Sequence, residues 1–157
     1  MNQKPEYQFF LGNEAETLRF GVRLAGMLKE GDVLALDGDL GMGKTTLSRG
    51  LIKSLLPELE EVPSPTYTIV QTYETTGFLL WHFDLYRLED PSEVIELGFE
   101  DAIEDVCLIE WPDKAGNYLP DARLTISLEA EGEGRLARLI AGSKDWADRL
   151  KEEFGHD

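Results

Sequence analysis

The segment "DVLALDGDLGMGKTTLSRGL" constrains this chain more than any other. It reads as a short apolar strand over 32–38, then Gly38-x-x-x-x-Gly43-Lys44-Thr45, then a helix over 44–56. The glycines let the backbone curl until several N–H groups face one anion. The N-terminus of the following helix adds its partial positive charge. Lys44 supplies a mobile cation for the β and γ phosphates, and Thr45 offers a hydroxyl to Mg²⁺. Asp39, Leu40, Gly41, Met42, Gly43, Lys44, Thr45 and Thr46 make up the cradle. A glycine-rich turn before a helix is the plain alternative, but the strand in front and the helix behind favour a phosphate-binding loop. The Asn-Lys-x-Asp motif that reads guanine is absent from the chain, so the expected ligand is ATP with Mg²⁺.

Strands and helices alternate around this unit. "YQFFLG" (7–12) suits a short strand, and "NEAETLRFGVRLAGMLKEG" a helix capped by Asn13, with Glu16 as in a capping box and Gly31 as its end. "YTIVQTYE" (67–74) and "FLLWHFDLY" (78–86) form a hairpin across "TTG". "DPSEVIELG" is marked as a helix by Asp90 as N-cap, Pro91 at the first helical position, Glu93 and Gly98. "VCLIE" (106–110) is a second buried strand. "LTISLEA" and "RLARLIA", joined by "EGEG", make a terminal antiparallel hairpin before a last helix, "KDWADRLKEEF". The predicted fold is α/β: a single P-loop NTPase domain over residues 1–157, three-layered, with a mixed, mostly parallel sheet and antiparallel hairpins.

Charge narrows the partners. Fifteen Lys and Arg stand against 31 Asp and Glu, a formal net charge of −16. That balance works against a large nucleic-acid footprint, which needs clustered cations, and suits contact with protein. Arg19, Arg23, Arg49 and Lys53 are candidates for a local basic patch, with a mixed-charge surface as the preferred reading. The single cysteine, Cys107, lies among Val106, Leu108 and Ile109 and reads as a small buried hydrophobe in a reduced compartment. With two histidines and one cysteine far apart, no zinc-site spacing exists. No apolar run reaches membrane-spanning length and the first residues lack a signal peptide's apolar stretch, so the expected location is cytoplasmic, with no membrane partner.

A phosphate loop of this class needs an acidic residue at the end of a second apolar strand to hold Mg²⁺. Two are offered: Asp84 ends "FLLWHFD" and Glu110 ends "VCLIE". Which lies closer to the metal is open at this stage. Strand alternation puts Trp81 and Phe83 on one face and His82 with Asp84 on the other. Such a pair could orient water or sense the γ phosphate, or be a structural His–Asp bond. Trp111, after Glu110, could stack on a base or pack as core or rim. In "VPSPTYT", Pro63 and Pro65 stiffen the chain around Ser64 and Thr66 presents a hydroxyl. That segment suits a nucleotide switch or a rigid connector.

"GDLGMGKTTL", "SPTYT", "HFDLYRLEDPSEVIELG" and "IEWPDKAGNYLP" occur in an order and spacing that resembles the bacterial TsaE (YjeE) family, the ATPase of tRNA threonylcarbamoyladenosine biosynthesis. The likeness runs from about the N-terminal helix to Pro120 and suits the terminal hairpin. Met42 stands where the family often has alanine, which matters little because the backbone does the binding. The resemblance implies ATP and Mg²⁺ contacts at Lys44 and Thr45, switch-like roles for Thr66 and Asp84, and a carboxylate near Mg²⁺ at Glu110. It implies weak ATP hydrolysis alone, and action with a TsaD-type threonylcarbamoyl transferase and its TsaB-type paralogue, reaching tRNA through that complex. It further implies that hydrolysis resets the complex while the partner transfers the threonylcarbamoyl group. The catalytic candidates are Lys44, Asp84 and, in a segment that could equally be a rigid connector, Thr66. Thr45, Glu110 and Asp84 are the candidate metal ligands, and Arg87 could add transition-state charge, be structural or face the partner. The alternatives are a small-molecule kinase using the same loop, against which stands the lack of an Arg-rich lid segment, and a scaffold that binds nucleotide for stability.

Overall fold

The computed structural model describes residues 6–39, 41–62 and 69–155. Its strands are β1 (Glu6–Leu11), β2 (Val33–Asp37), β3 (Val70–Glu74), β4 (Leu79–Asp84), β5 (Val106–Glu110), β6 (Leu124–Glu131) and β7 (Gly134–Ala141). Its α-helices are α1 (Glu14–Ala25), α2 (Lys44–Leu55), α3 (Glu93–Glu96), α4 (Phe99–Ala102) and α5 (Lys144–Phe154), with a 3-10 helix at Pro112–Tyr118. All the strands lie in one sheet, ordered β1-β7-β6-β2-β5-β4-β3. The centre, β6-β2-β5-β4, is parallel, and antiparallel pairs flank it at β1–β7, β6–β7 and β3–β4. The mixed sheet with flanking hairpins is the one its sequence predicts.

Central strands buried on both faces explain the near-continuous apolar runs of β2 and β5. Alternation sorts their side chains. Leu34, Leu36, Leu80, Val106 and Leu108 join Phe20, Leu24, Leu47, Leu51, Trp146 and Leu150 in a core beneath α1, α2 and α5. Val33, Phe83, Cys107 and Ile109 join Val94, Phe99, Ala102 and Ala115 in a second core on the opposite face. The second face is covered by α3, α4 and the 3-10 helix. That third layer is thin and stops short of β1, where Phe10 is exposed.

Helices α1 and α2 touch through glycine. A Cβ on Gly21 would lie 2.3 Å from the Leu47 carbonyl oxygen, and one on Gly50 would lie 2.4 Å from that of Leu18. Bare backbone at both points lets α1 settle against the helix that begins at the phosphate loop. Asn13 caps α1 as predicted, its Oδ1 accepting from the Glu16 amide at 2.9 Å. The β6–β7 turn uses Gly132 at φ 59°, a left-handed position that favours glycine.

Two predicted helices differ. Helix α1 ends at Gly26, not Gly31, because the next residues turn back and the Lys29 amide donates to Asp32. The helix expected over 90–98 is a single turn, α3, and a further turn, α4, follows beyond Gly98. Gly98 sits at φ 85° between them, and Asp90 accepts from Ser92 in a tight turn before α3. The strand expected over 67–74 is described from Val70, and residues 67 and 68 lie outside the described residues.

Candidate nucleotide-binding site

The glycine loop leaves the C-terminal end of β2, at the centre of the parallel strands, where open α/β sheets bind ligands. Gly38, Gly41 and Gly43 all take positive φ, at 150°, 81° and 99°. Any side chain on Gly38 would meet the Leu128 carbonyl oxygen, 2.6 Å from where its Cβ would stand. Gly43 is the N-cap of α2 and no side chain caps that end. The first amides of α2 are thus left for a ligand. Arg135, from the start of β7, donates to the Gly41 carbonyl at 3.1 Å and braces the loop from outside.

A cleft of about 340 Å³ opens over the loop. Gly41, Gly43, Lys44, Thr45 and Thr46 form one side, and Asp84, Tyr86, Glu110 and Trp111 the other. Asp84 and Glu110 arrive there because β4 and β5 are paired in parallel with those two residues side by side. Both strand-end carboxylates therefore reach the site. Glu110 is 3% exposed and Asp84 8%. The Asp84 carboxylate accepts from the Tyr86 amide at 3.1 Å.

Lys44 is buried at 5% exposure. Its ammonium donates to the Gly38 carbonyl and lies 3.5 Å from the centre of the Trp111 ring. Burial pushes the ammonium's pKa below its ordinary value, while the negative charges of Glu110, Asp84, Asp37 and Asp39 pull it back up. Among the described residues this cation has no direct carboxylate bond, and it lines the cleft beside the glycine loop. Trp111 itself takes a left-handed φ of 58°, uncommon for a bulky residue. Its ring packs against Tyr86 at 4.9 Å as well as Lys44, which places it at the lysine end of the cleft.

His82 and Asp84 share a face as read, but the imidazole's bond goes to Glu110, not to Asp84. Nε2 of His82 lies 2.7 Å from Oε2 of Glu110, across the neighbouring strand. Asp39 is exposed and borders a separate acidic cleft with Asp37, Asp113 and Glu129. Thr66 and Leu40 lie outside the described residues.

Sequence reasoning missed Tyr86, Arg135 and a second cavity of about 230 Å³ behind the loop, lined by Asn13, Thr17, Gly43, Thr46, Gly134 and Arg135. Thr17 gave a signal: it stands three and seven residues before Phe20 and Leu24, on the apolar stripe of α1, where the structure buries it. Arg135 gave none, because a contact 94 residues away in sequence has no local pattern.

The residues present fit Mg²⁺ carried by a nucleotide. Among the described residues no three His, Cys, Asp or Glu side chains cluster to hold an ion by themselves. A metal shared with phosphates needs only one or two carboxylates and a hydroxyl. Glu110, Asp84 and Thr45 supply those in one cleft.

Comparison with known proteins identifies the family. A family model described as "Threonylcarbamoyl adenosine biosynthesis protein TsaE" matches residues 11–139. The tRNA threonylcarbamoyladenosine biosynthesis protein TsaE of Rickettsia felis is 41% identical, covering 86% of this chain and 80% of its own. The protein of that name from Bacillus subtilis is 40% identical over 92% of both chains. The crystal structure of Bacillus subtilis YdiB superposes with a TM-score of 0.83 at 29% identity, covering 100% of this chain and 99% of that one. This chain belongs to the TsaE family of tRNA threonylcarbamoyladenosine biosynthesis.

Proposed function

We propose that this chain is a single-domain P-loop ATPase that binds ATP with Mg²⁺, hydrolyses it slowly, and serves as the switch subunit of a tRNA-modifying complex. The observation that carries the reading is the convergence of Lys44, Thr45, Asp84 and Glu110 on one cleft over the glycine loop. The first turn of α2 and the loop amides bind the phosphates. Lys44 exchanges its Gly38 carbonyl for phosphate oxygens and neutralises charge that grows during transfer. Thr45 and Glu110 hold the metal, with Asp84 beside Glu110 positioning the attacking water. Bound Mg²⁺ supplies charge stabilisation at the β and γ phosphates. Thr66 is the proposed contact that changes when the γ phosphate is lost. The nucleoside end fits the cavity behind the loop, between Thr17, Thr46 and Arg135. Trp111 belongs with the phosphate end of the site, since its ring already lies on Lys44.

The working partners are a TsaD-type threonylcarbamoyl transferase and its TsaB-type paralogue, with tRNA reached through them, in the cytoplasm. Family membership supports this, and so does the acidity of the chain. Among the described residues no helix is long and apolar enough to cross a membrane.

Lys44→Ala tests the chemistry. Calorimetry should show ATP with Mg²⁺ binding to the wild type, and phosphate release should be slow. In the variant, circular dichroism should stay native while turnover is lost. Wild-type turnover by Lys44→Ala would remove the phosphate loop from the mechanism.

A further inference from the structure

His82 is 1% exposed and lies inside β4, between Leu80 and Asp84 on the face that carries Leu108 and Glu110. An apolar residue would pack there without the cost of burying an imidazole. The ring has a single polar partner among the described residues: Nε2 meets Glu110 Oε2 at 2.7 Å, while Nδ1 is buried with none. A carboxylate only accepts, so the tautomer that serves this contact carries its proton on Nε2 and donates it. Both side chains are almost fully buried, at 2% and 4%, so no water competes for the bond. The imidazole's bond reaches β5, which the backbone ladder already joins to β4, so the fold does not need it as a tie.

Resting on the nucleotide–metal reading above, we infer that His82 is a positioning residue for Glu110. By binding Oε2 it fixes the carboxylate's rotamer, so that Oε1 is the oxygen presented to the metal in the cleft. Partners of this kind orient ligand groups and tune metal affinity. The role needs a donor at the Nε2 position and nothing at the Nδ1 position, which makes it separable from simple space filling.

His82→Gln places an amide N–H near the Nε2 position, and His82→Asn places one near Nδ1, away from Glu110. The readout is the affinity for a non-hydrolysable ATP analogue, measured by calorimetry with Mg²⁺ and again with EDTA. The ratio of the two affinities is the coupling between nucleotide and metal. His82→Asn should lower that ratio by about 10-fold or more, and His82→Gln should keep it within about threefold of wild type. Affinity in EDTA should be the same for all three proteins. Equal ratios in all three overturn the role, as does a Gln variant as impaired as the Asn variant. Parallel loss of affinity in EDTA also overturns it, since that marks His82 as a fold residue. A wild-type ratio near one sinks the nucleotide–metal reading itself, and the role with it; the wild-type control thus separates the two failures.

Discussion

Replacing Gly21 by alanine sets helix propensity against packing. Propensity alone favours alanine in a helix by about 1 kcal/mol. Yet a Cβ at position 21 would stand 2.3 Å from the Leu47 carbonyl oxygen and 2.9 Å from the Leu51 amide nitrogen. Carbon and carbonyl oxygen approach comfortably at about 3.3 Å, so α1 and α2 must part by roughly 1 Å. Both obstacles are backbone and have no rotamer to change. Overpacking of this kind costs about 1–3 kcal/mol. Net of propensity, the expected loss is up to about 2 kcal/mol. For a chain of this length that lowers Tm by up to roughly 8 °C. Because α2 starts at the glycine loop, affinity for ATP should fall as well. Thermal unfolding by calorimetry reads the first effect and nucleotide titration the second. A rise in Tm of roughly 2–4 °C, the result propensity alone gives, would refute the close glycine contact.

Two further outcomes test other parts of the account. Arg149 donates to both oxygens of Asp32 at 2.8 Å, tying α5 to the loop before β2, and Asp32 is 4% exposed. Arg149→Met leaves that carboxylate buried without its cation and should cost about 3 kcal/mol in urea unfolding; a loss below about 1 kcal/mol contradicts the tie. The Asp90 carboxylate accepts from the Ser92 amide at 2.9 Å and its hydroxyl at 2.7 Å, which holds its pKa below the ordinary aspartate value. Its contribution to stability is therefore present above the ordinary aspartate pKa and lost as pH falls through the lowered one. An NMR titration of its carboxyl carbon should show the lowered midpoint, and a midpoint at or above the ordinary value refutes the turn geometry.

The strand–loop–helix at 32–56 was legible because every part of it has a local cause: an apolar run, glycines at the turns, and a helix with no competing cap. The two flanking hairpins were legible for the same reason, with Gly77 and Gly132 at their turns. The segment 90–98 was legible at its end, where Gly98 takes a left-handed φ beside Trp81, 3.2 Å from where a Cβ would be. Asp90 at its front, however, serves a turn with Ser92 and leaves only Glu93–Glu96 helical. The candidate site was legible as a set of chemical groups. Asp84 and Glu110 were found as strand ends, but their side-by-side placement depends on the pairing of β4 with β5. Which strands lie side by side in parallel is a long-range property, made through a crossover connection, that local pattern does not give. That is why strand alternation put His82 and Asp84 on one face but did not show Glu110, on the next strand, as the imidazole's partner. The brace from Arg135 to Gly41 was hidden for the same reason.

Phosphate release from ATP by the purified protein, alone and then with the TsaB and TsaD proteins of the same cell, tests the central claim most directly. The account predicts slow turnover alone, a rise when both partners are present, and none in Lys44→Ala under either condition. Turnover that the partners leave unchanged, with no complex formed, would contradict the switch role.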